Sequence, residues 1–306
     1  MYHGYKSCTS ENSKEGSEGM IRIERKLIDT AIQILILLSS LILVCILMGI
    51  IIFVILKGIN SVNFAFLTTV KSALKGTNGI AGNIINTLII IFLTMLIAVP
   101  ISLGSAIYLN EYAKISSFVT LIEYATETLS GIPSIIFGLF GMMFFGEGLG
   151  LGYSLFTGSL TLILMILPLL TRNTQEALKA VPKSYRNGAI GLGSGKWHMI
   201  VTILIPSAMP GIITGAVLAV GRIVGESAAL LFTAGSSGLL PKNMMDLLKK
   251  PMQSGGTLTI QMYLSSTSEG DFNKAFGIAF VLLIITLIFN LGTKLLMRRF
   301  AIVRKG

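Results

Sequence analysis

The sequence predicts an all-α, polytopic membrane protein with six transmembrane helices, on three observations. Of 306 residues, 53% are apolar and only 12% charged, with a mean hydropathy of +0.80. Soluble globular chains carry about 25% charged residues. The charges are also clustered, which leaves long stretches with few or none. Those stretches run about 20 residues or more, and at ~1.5 Å per residue each reaches across a ~30 Å hydrocarbon core.

Residues 1–29 are polar and rich in Ser, Glu, Lys and Gly, and read as a flexible cytoplasmic leader. The segment is too long and too acidic for the basic start of a signal peptide. Thr30–Leu56 holds no charge and forms the first span, followed by a loop over 57–79 with Lys57, Lys71 and Lys75. The second span is expected over 80–109, with Pro100 near its end, and 110–114 is a polar turn. The third, over 117–145, carries Glu123 and Glu127 one turn apart. They suit either interfacial carboxylates or the lip of a gate. In the same span SGIPSIIFGLFG sets Pro133 among glycines, a composition that permits close helix approach and local unwinding.

A glycine-rich turn over 146–152 leads to the fourth span, 153–170. Its GEGLGLG string follows no strand and is no nucleotide loop. A polar connection over 171–205 precedes the fifth span, 206–234. A second polar loop, 235–271, with a short helix near 243–249, precedes the sixth, 275–296. Residues 30–297 thus form the membrane domain, and 298–306 a basic tail with Arg298, Arg299, Arg304 and Lys305.

Six spans put both termini on one side. With the termini inside, the inner segments carry more than twice as many Lys and Arg as the outer ones, which assigns the termini and the 171–205 connection to the cytoplasm. The formal charge of +10 then faces anionic membrane lipid and is not a nucleic-acid footprint. Cys8 and Cys45 make no disulfide framework, and His3 and His198 are too few for a metal site.

Two features carry chemistry. Arg222 and Glu226 stand one helical turn apart in an otherwise uncharged span. Charged side chains at membrane depth are expensive, so the pair reads either as a helix-locking ion pair or as pathway groups. A guanidinium stays charged and matches oxyanions bidentately. The second feature is GAIGLGSGKW, residues 188–197. It fails the phosphate-loop pattern, with Ile190 where glycine is needed and Trp197 where Ser or Thr would hold magnesium. Its basic side chains, including Lys196, and the sole tryptophan, Trp197, suit docking into a partner's groove. Gly211, Gly215, Gly221 and Gly225 give small-residue steps on the fifth span, suited to tight packing. No Ser–His–Asp grouping, metal cluster or nucleotide loop is present, so the chain is not expected to be an enzyme. A secondary transporter is disfavoured because no internal repeat is visible.

The connection resembles the EAA signature of ABC-importer permeases. The triplet falls on Asn187-Gly188-Ala189, the glycine on Gly193, and the closing Ile-x-x-Pro on Ile203 to Pro206. The triplet departs from the family's Glu and Ala at Asn187 and Gly188. The resemblance implies a type I ABC importer permease fold and a short coupling helix seated in a separate ATPase subunit. GIPSIIFGLFG, the run from Val181 to Gly215 and GRIVGESAALLFTAG are each similar to the PstA branch of that family, over residues 80–296. That branch implies a permease for inorganic phosphate, with Arg222 and Glu226 in the pathway. It implies a PstC-like second permease, a PstB-like ATPase dimer and an extracytoplasmic PstS-like phosphate-binding protein. No cofactor is expected on this chain, ATP and Mg being used by the ATPase. A permease for another anion or small solute is the alternative.

Overall fold

The computed structural model describes residues 8–72, 77–113, 117–241 and 243–302. The chain divides into two units, residues 1–56 and 57–306. The first is the long helix α1 (Cys8–Gly58), which ends just inside the second unit. The helix begins at Cys8, so residues 8–29 form its first turns, in place of the flexible leader that composition suggests. Glu and Lys have high helix propensity, and an adjoining apolar helix supplies the nucleus they need. Residues 1–7 of the expected leader and 303–306 of the basic tail lie outside the described residues.

In the second unit, α2 (Phe64–Thr68) leads into a hairpin of β1 (Val70–Ser72) and β2 (Thr77–Ile80), paired antiparallel with a shift between Val70 and Lys71. Helix α3 (Ala81–Ile107) follows and continues as a π-helical turn over Tyr108–Tyr112. The expected third span is two helices, α4 (Ser117–Ser130) and α5 (Ser134–Gly141), the latter extended by a π-helical stretch to Gly148. They meet at 102°, so 117–145 is no straight span. Proline has no N–H and disfavours helical backbone in the residue before it. The chain accordingly leaves the helix at Gly131–Ile132 and restarts behind Pro133.

Helix α6 (Leu155–Lys179), started by the Ser154 side chain accepting from Thr157 N at 3.1 Å, runs nine residues past the expected end at 170. Next come α7 (Lys183–Gly191), α8 (Lys196–Met199), a π-helical turn (Ile200–Leu204) and α9 (Ile205–Gly225). Lys196–Gly225 is one continuous rod, so the fifth span starts earlier and ends sooner than 206–234. The rest is α10 (Ala228–Thr233), α11 (Met244–Lys249), α12 (Leu258–Thr267) and α13 (Phe272–Ile302). The short helix expected near 243–249 is α11, whereas α12 falls where the sequence predicts loop.

Among the described residues five helices are long and apolar enough to cross a membrane, or six if α4 and α5 count as one bent span. Helix α6 is central. Its Leu155, Leu162, Ile166 and Leu170 pack with Ile90, Ile91 and Ala98 of α3, Ile223 and Val224 of α9 and Leu230 of α10. A second cluster at the C-terminal ends of α3 and α6 joins Ala106, Ile107, Leu178 and Ala189 to Met199, Ile200 and Leu204. A third, at the opposite end, joins Phe66, Ile80, Leu258 and Ile278. There the loop before α12 is clipped to α3: Asn83 Nδ2 donates to Gly256 O at 2.9 Å, and Asn86 Nδ2 to Ser237 O at 3.0 Å. Burying those carbonyls without donors would cost about 1–3 kcal/mol each.

Candidate transport site and coupling helix

Arg222 lies in the last turn of α9, its residue exposed. Along the rod it stands 26 residues beyond Lys196, or ~39 Å at 1.5 Å per residue. It is therefore at the end remote from α7. Among the described residues it makes no ion pair. The expected helical spacing of Arg222 and Glu226 is not realised, because α9 stops at Gly225 and Glu226 is extended (φ −80°, ψ 123°). Glu226 Oε1 instead accepts from Ala229 N at 3.1 Å, capping α10, and Glu226 O accepts from Thr259 Oγ1 at 2.9 Å. Among the described residues no carboxylate therefore stands within 4 Å of the guanidinium.

The triplet Asn187-Gly188-Ala189 lies on α7, with Ala189 buried in the second cluster and Asn187 and Gly188 exposed. Gly193 closes α7. It has φ +79°, donates to Ile190 O at 2.9 Å, and Ser194 N reaches Ala189 O at 2.9 Å. That is the Schellman arrangement, which needs left-handed backbone and so glycine. Lys196 and Trp197, which the sequence places in the connecting loop, start α8. Trp197 is 64% exposed and Leu192 91%. Pro206 stands inside the continuous rod, just after the π-helical turn, where its missing N–H leaves the helical ladder one bond short. It lines an open groove of about 710 Å³ with Tyr185, Gly188, Leu192 and Ile203.

Glu123 and Glu127 line a different cavity, of about 430 Å³, between α4 and the C-terminal half of α6. Glu127 Oε1 stands 4.0 Å from Arg172 Nη1, and Arg172 Nε stands 3.7 Å from Glu176 Oε1, all well exposed. Pro133 marks the 102° bend rather than lining that cavity. Among the glycines, a Cβ on Gly211 would meet Ala177 Cβ at 2.6 Å and one on Gly215 would meet Asn173 Cβ at 2.9 Å. Gly221 and Gly225 have open space, so the expected packing within the chain stops at Gly215.

Sequence reasoning misses Glu111, in the π-helical turn after α3. Its carboxylate accepts from Arg186 Nη2 of α7 at 2.8 Å and from Asn110 Nδ2 at 2.7 Å. Its carbonyl accepts from Lys196 Nζ, which stands 4.6 Å from the Tyr112 ring centroid. The acid beside Tyr112 is visible in the sequence, but nothing local names Arg186 as its partner, 75 residues away.

Comparison with known proteins agrees with this fold. The family model described as "Binding-protein-dependent transport system inner membrane component" matches residues 99–302. The "Probable ABC transporter permease protein YqgI" of Bacillus subtilis (strain 168) is 40% identical over 70% of this chain and 72% of its own. The "Phosphate transport system permease protein PstA" of Xylella fastidiosa (strain Temecula1) is 31% identical over 79% of this chain and 83% of its own. In fold, the chain is similar to one from a bacterial alginate ABC transporter solved with a bound periplasmic protein. That match has TM-score 0.64 and 16% identity, and covers 91% of this chain and 96% of the other. A multi-pass membrane protein of the type I importer permease fold, the chain belongs to the family of binding-protein-dependent transport system inner membrane components.

Proposed function

We propose that the chain is the permease subunit of an ATP-driven importer of inorganic phosphate. The observation that carries the proposal is the single rod Lys196–Gly225, which joins the α7 end of the molecule to a carboxylate-free arginine ~39 Å away. Motion imposed at α7 moves the residue suited to hold an oxyanion. The relatives named as phosphate permeases support that anion. Members of this family are not enzymes, and an ATPase and a solute-binding protein complete the assembly. The finer assignment is a PstC-like second permease, a PstB-like ATPase dimer on α7 and a PstS-like binding protein at the opposite end. ATP and Mg belong to the ATPase, with no cofactor on this chain. Both termini and α7 face the cytoplasm.

Arg222 binds phosphate transiently in this scheme. Glu226, held by Ala229 and Thr259, shapes the end of α9 and bounds the pathway there. The test is uptake of labelled phosphate by proteoliposomes holding the assembled complex, with binding protein outside and ATP inside. Phosphate is expected to accumulate, unlabelled sulfate or molybdate in excess to compete weakly, and Arg222→Ala to abolish uptake with the complex intact. Preferred uptake of another anion, or full uptake by Arg222→Ala, would overturn the assignment.

A further inference from the structure

We infer that Glu111 is a positioning residue that fastens the coupling helix α7 to α3, so that force arriving at α7 drives α3 together with α9. The inference rests on the proposed function for the source of that force.

Through the covalent chain alone, α7 pulls only on its neighbours α6 and α8–α9. The link to α9 passes through Leu192–Gly195, with Gly193 in left-handed backbone. Helix α3 is some 70 residues earlier and can be reached only by side chains. Glu111 supplies the reach. It stands at the end of the π-helical turn Tyr108–Tyr112 that prolongs α3. Arg186 Nη2 donates to its carboxylate at 2.8 Å and to Leu178 O, in the last turn of α6, at 3.1 Å. On the other side of the Gly193 turn, Lys196 donates to the Glu111 carbonyl and stacks over Tyr112. The end of α3 is therefore held from α7 and from α8, on both sides of the turn at Gly193.

Environment decides which ion pair transmits force. The Glu111 and Arg186 side chains are 8% and 20% exposed. Water and salt screen such a pair little, and its short bonded geometry resists displacement. The Arg172 pairs with Glu127 and Glu176 are longer, at 4.0 and 3.7 Å, and exposed above 60%, so they yield easily. Arg186 Nε is buried and without a partner, so the two Nη2 bonds are what hold the guanidinium. Folding does not require the latch, because Ala106, Ile107, Leu178, Ala189 and Met199 already pack the same elements together.

The test uses the full complex in proteoliposomes and reads solute moved per ATP hydrolysed, with the native complex fixing the solute. Glu111→Gln is expected to keep assembly, basal ATP turnover and the half-saturating concentration of loaded binding protein. Solute moved per ATP is expected to fall about fivefold or more, the lower range of coupling between distant sites. The exchange Glu111→Arg with Arg186→Glu is expected to restore most of that loss. A single variant within about twofold of native, or an exchange no better than the single variants, overturns the inference. Should Glu111→Gln fail to assemble, the exchange decides alone: a native ratio supports the latch and a low one overturns it. A native complex that carries a solute other than phosphate refutes the proposed substrate and leaves this test intact.

Discussion

Glu226 caps the helix that follows it, its carboxylate accepting from Ala229 N at 3.1 Å, and forms no pair with Arg222 four residues earlier. Loss of a capping acceptor costs about 0.5–2 kcal/mol. Glu226→Ala is therefore expected to lower the melting temperature of the solubilised complex by a few degrees. Glu226→Gln retains an acceptor oxygen and should lower it less. Equal effects of the two variants would mean that charge, not capping, is what Glu226 contributes.

Gly211 and Gly221 share a helix and differ in surroundings. A Cβ at Gly211 would press on Ala177 Cβ at 2.6 Å, too close for α6 and α9 to keep their spacing. Overpacking of this kind costs about 1–3 kcal/mol. Gly221 has open space in this chain, and Gly221→Ala should change its stability by less than ~0.5 kcal/mol. Thermal unfolding of Gly211→Val beside Gly221→Ala checks the contrast.

At Gly193 the obstacle is conformation and not space, since a Cβ there would meet nothing within 4 Å while φ is +79°. A non-glycine residue in left-handed backbone costs roughly 1–2 kcal/mol. Gly193→Asp should therefore loosen the end of α7 and raise ATP hydrolysed per solute moved, with the spans still inserted. ATP turnover that remained tightly controlled by loaded binding protein would count against a coupling role for this turn.

Glu269 lies between α12 and α13, where Lys71 Nζ approaches at 2.5 Å and Lys274 Nζ at 3.0 Å. Burial acts to raise its pKa, but hydrogen bonds and charge from the two lysines outweigh burial and bring it from 4.5 down to about 2. A carboxyl with a depressed folded pKa stabilises fully above its unfolded value and loses that contribution as pH falls through the folded one. The melting temperature should thus hold from neutral pH to about 5 and drop between about 4.5 and 2. Glu269→Gln should be less stable at neutral pH and should lack that part of the acid loss.

Much of this is legible in the sequence. Charge-free runs mark the spans, and Asn187 and Gly193 fall on the short helix α7 and the turn that ends it. The misreadings share a cause: hydropathy marks apolar length but not where a helix stops. It therefore cannot find the end of α9 at Gly225 or the helical continuation of α6 to Lys179, whereas the break at Pro133 falls where proline and glycine permit unwinding. Helix α12 escapes because its Thr, Gln and Ser residues are polar, and the structure buries Thr259, Gln261 and Ser265 through bonds to partners such as Glu226 and Glu269. Glu111 escapes for a related reason, its partner Arg186 being remote in sequence.

The source of energy tests the central claim most directly. Proteoliposomes carrying the complex, with no ion gradient, should accumulate phosphate only when ATP is inside and loaded binding protein outside, and should stop when the nucleotide is non-hydrolysable. Accumulation that continued without ATP and collapsed on dissipating an imposed ion gradient would contradict the account.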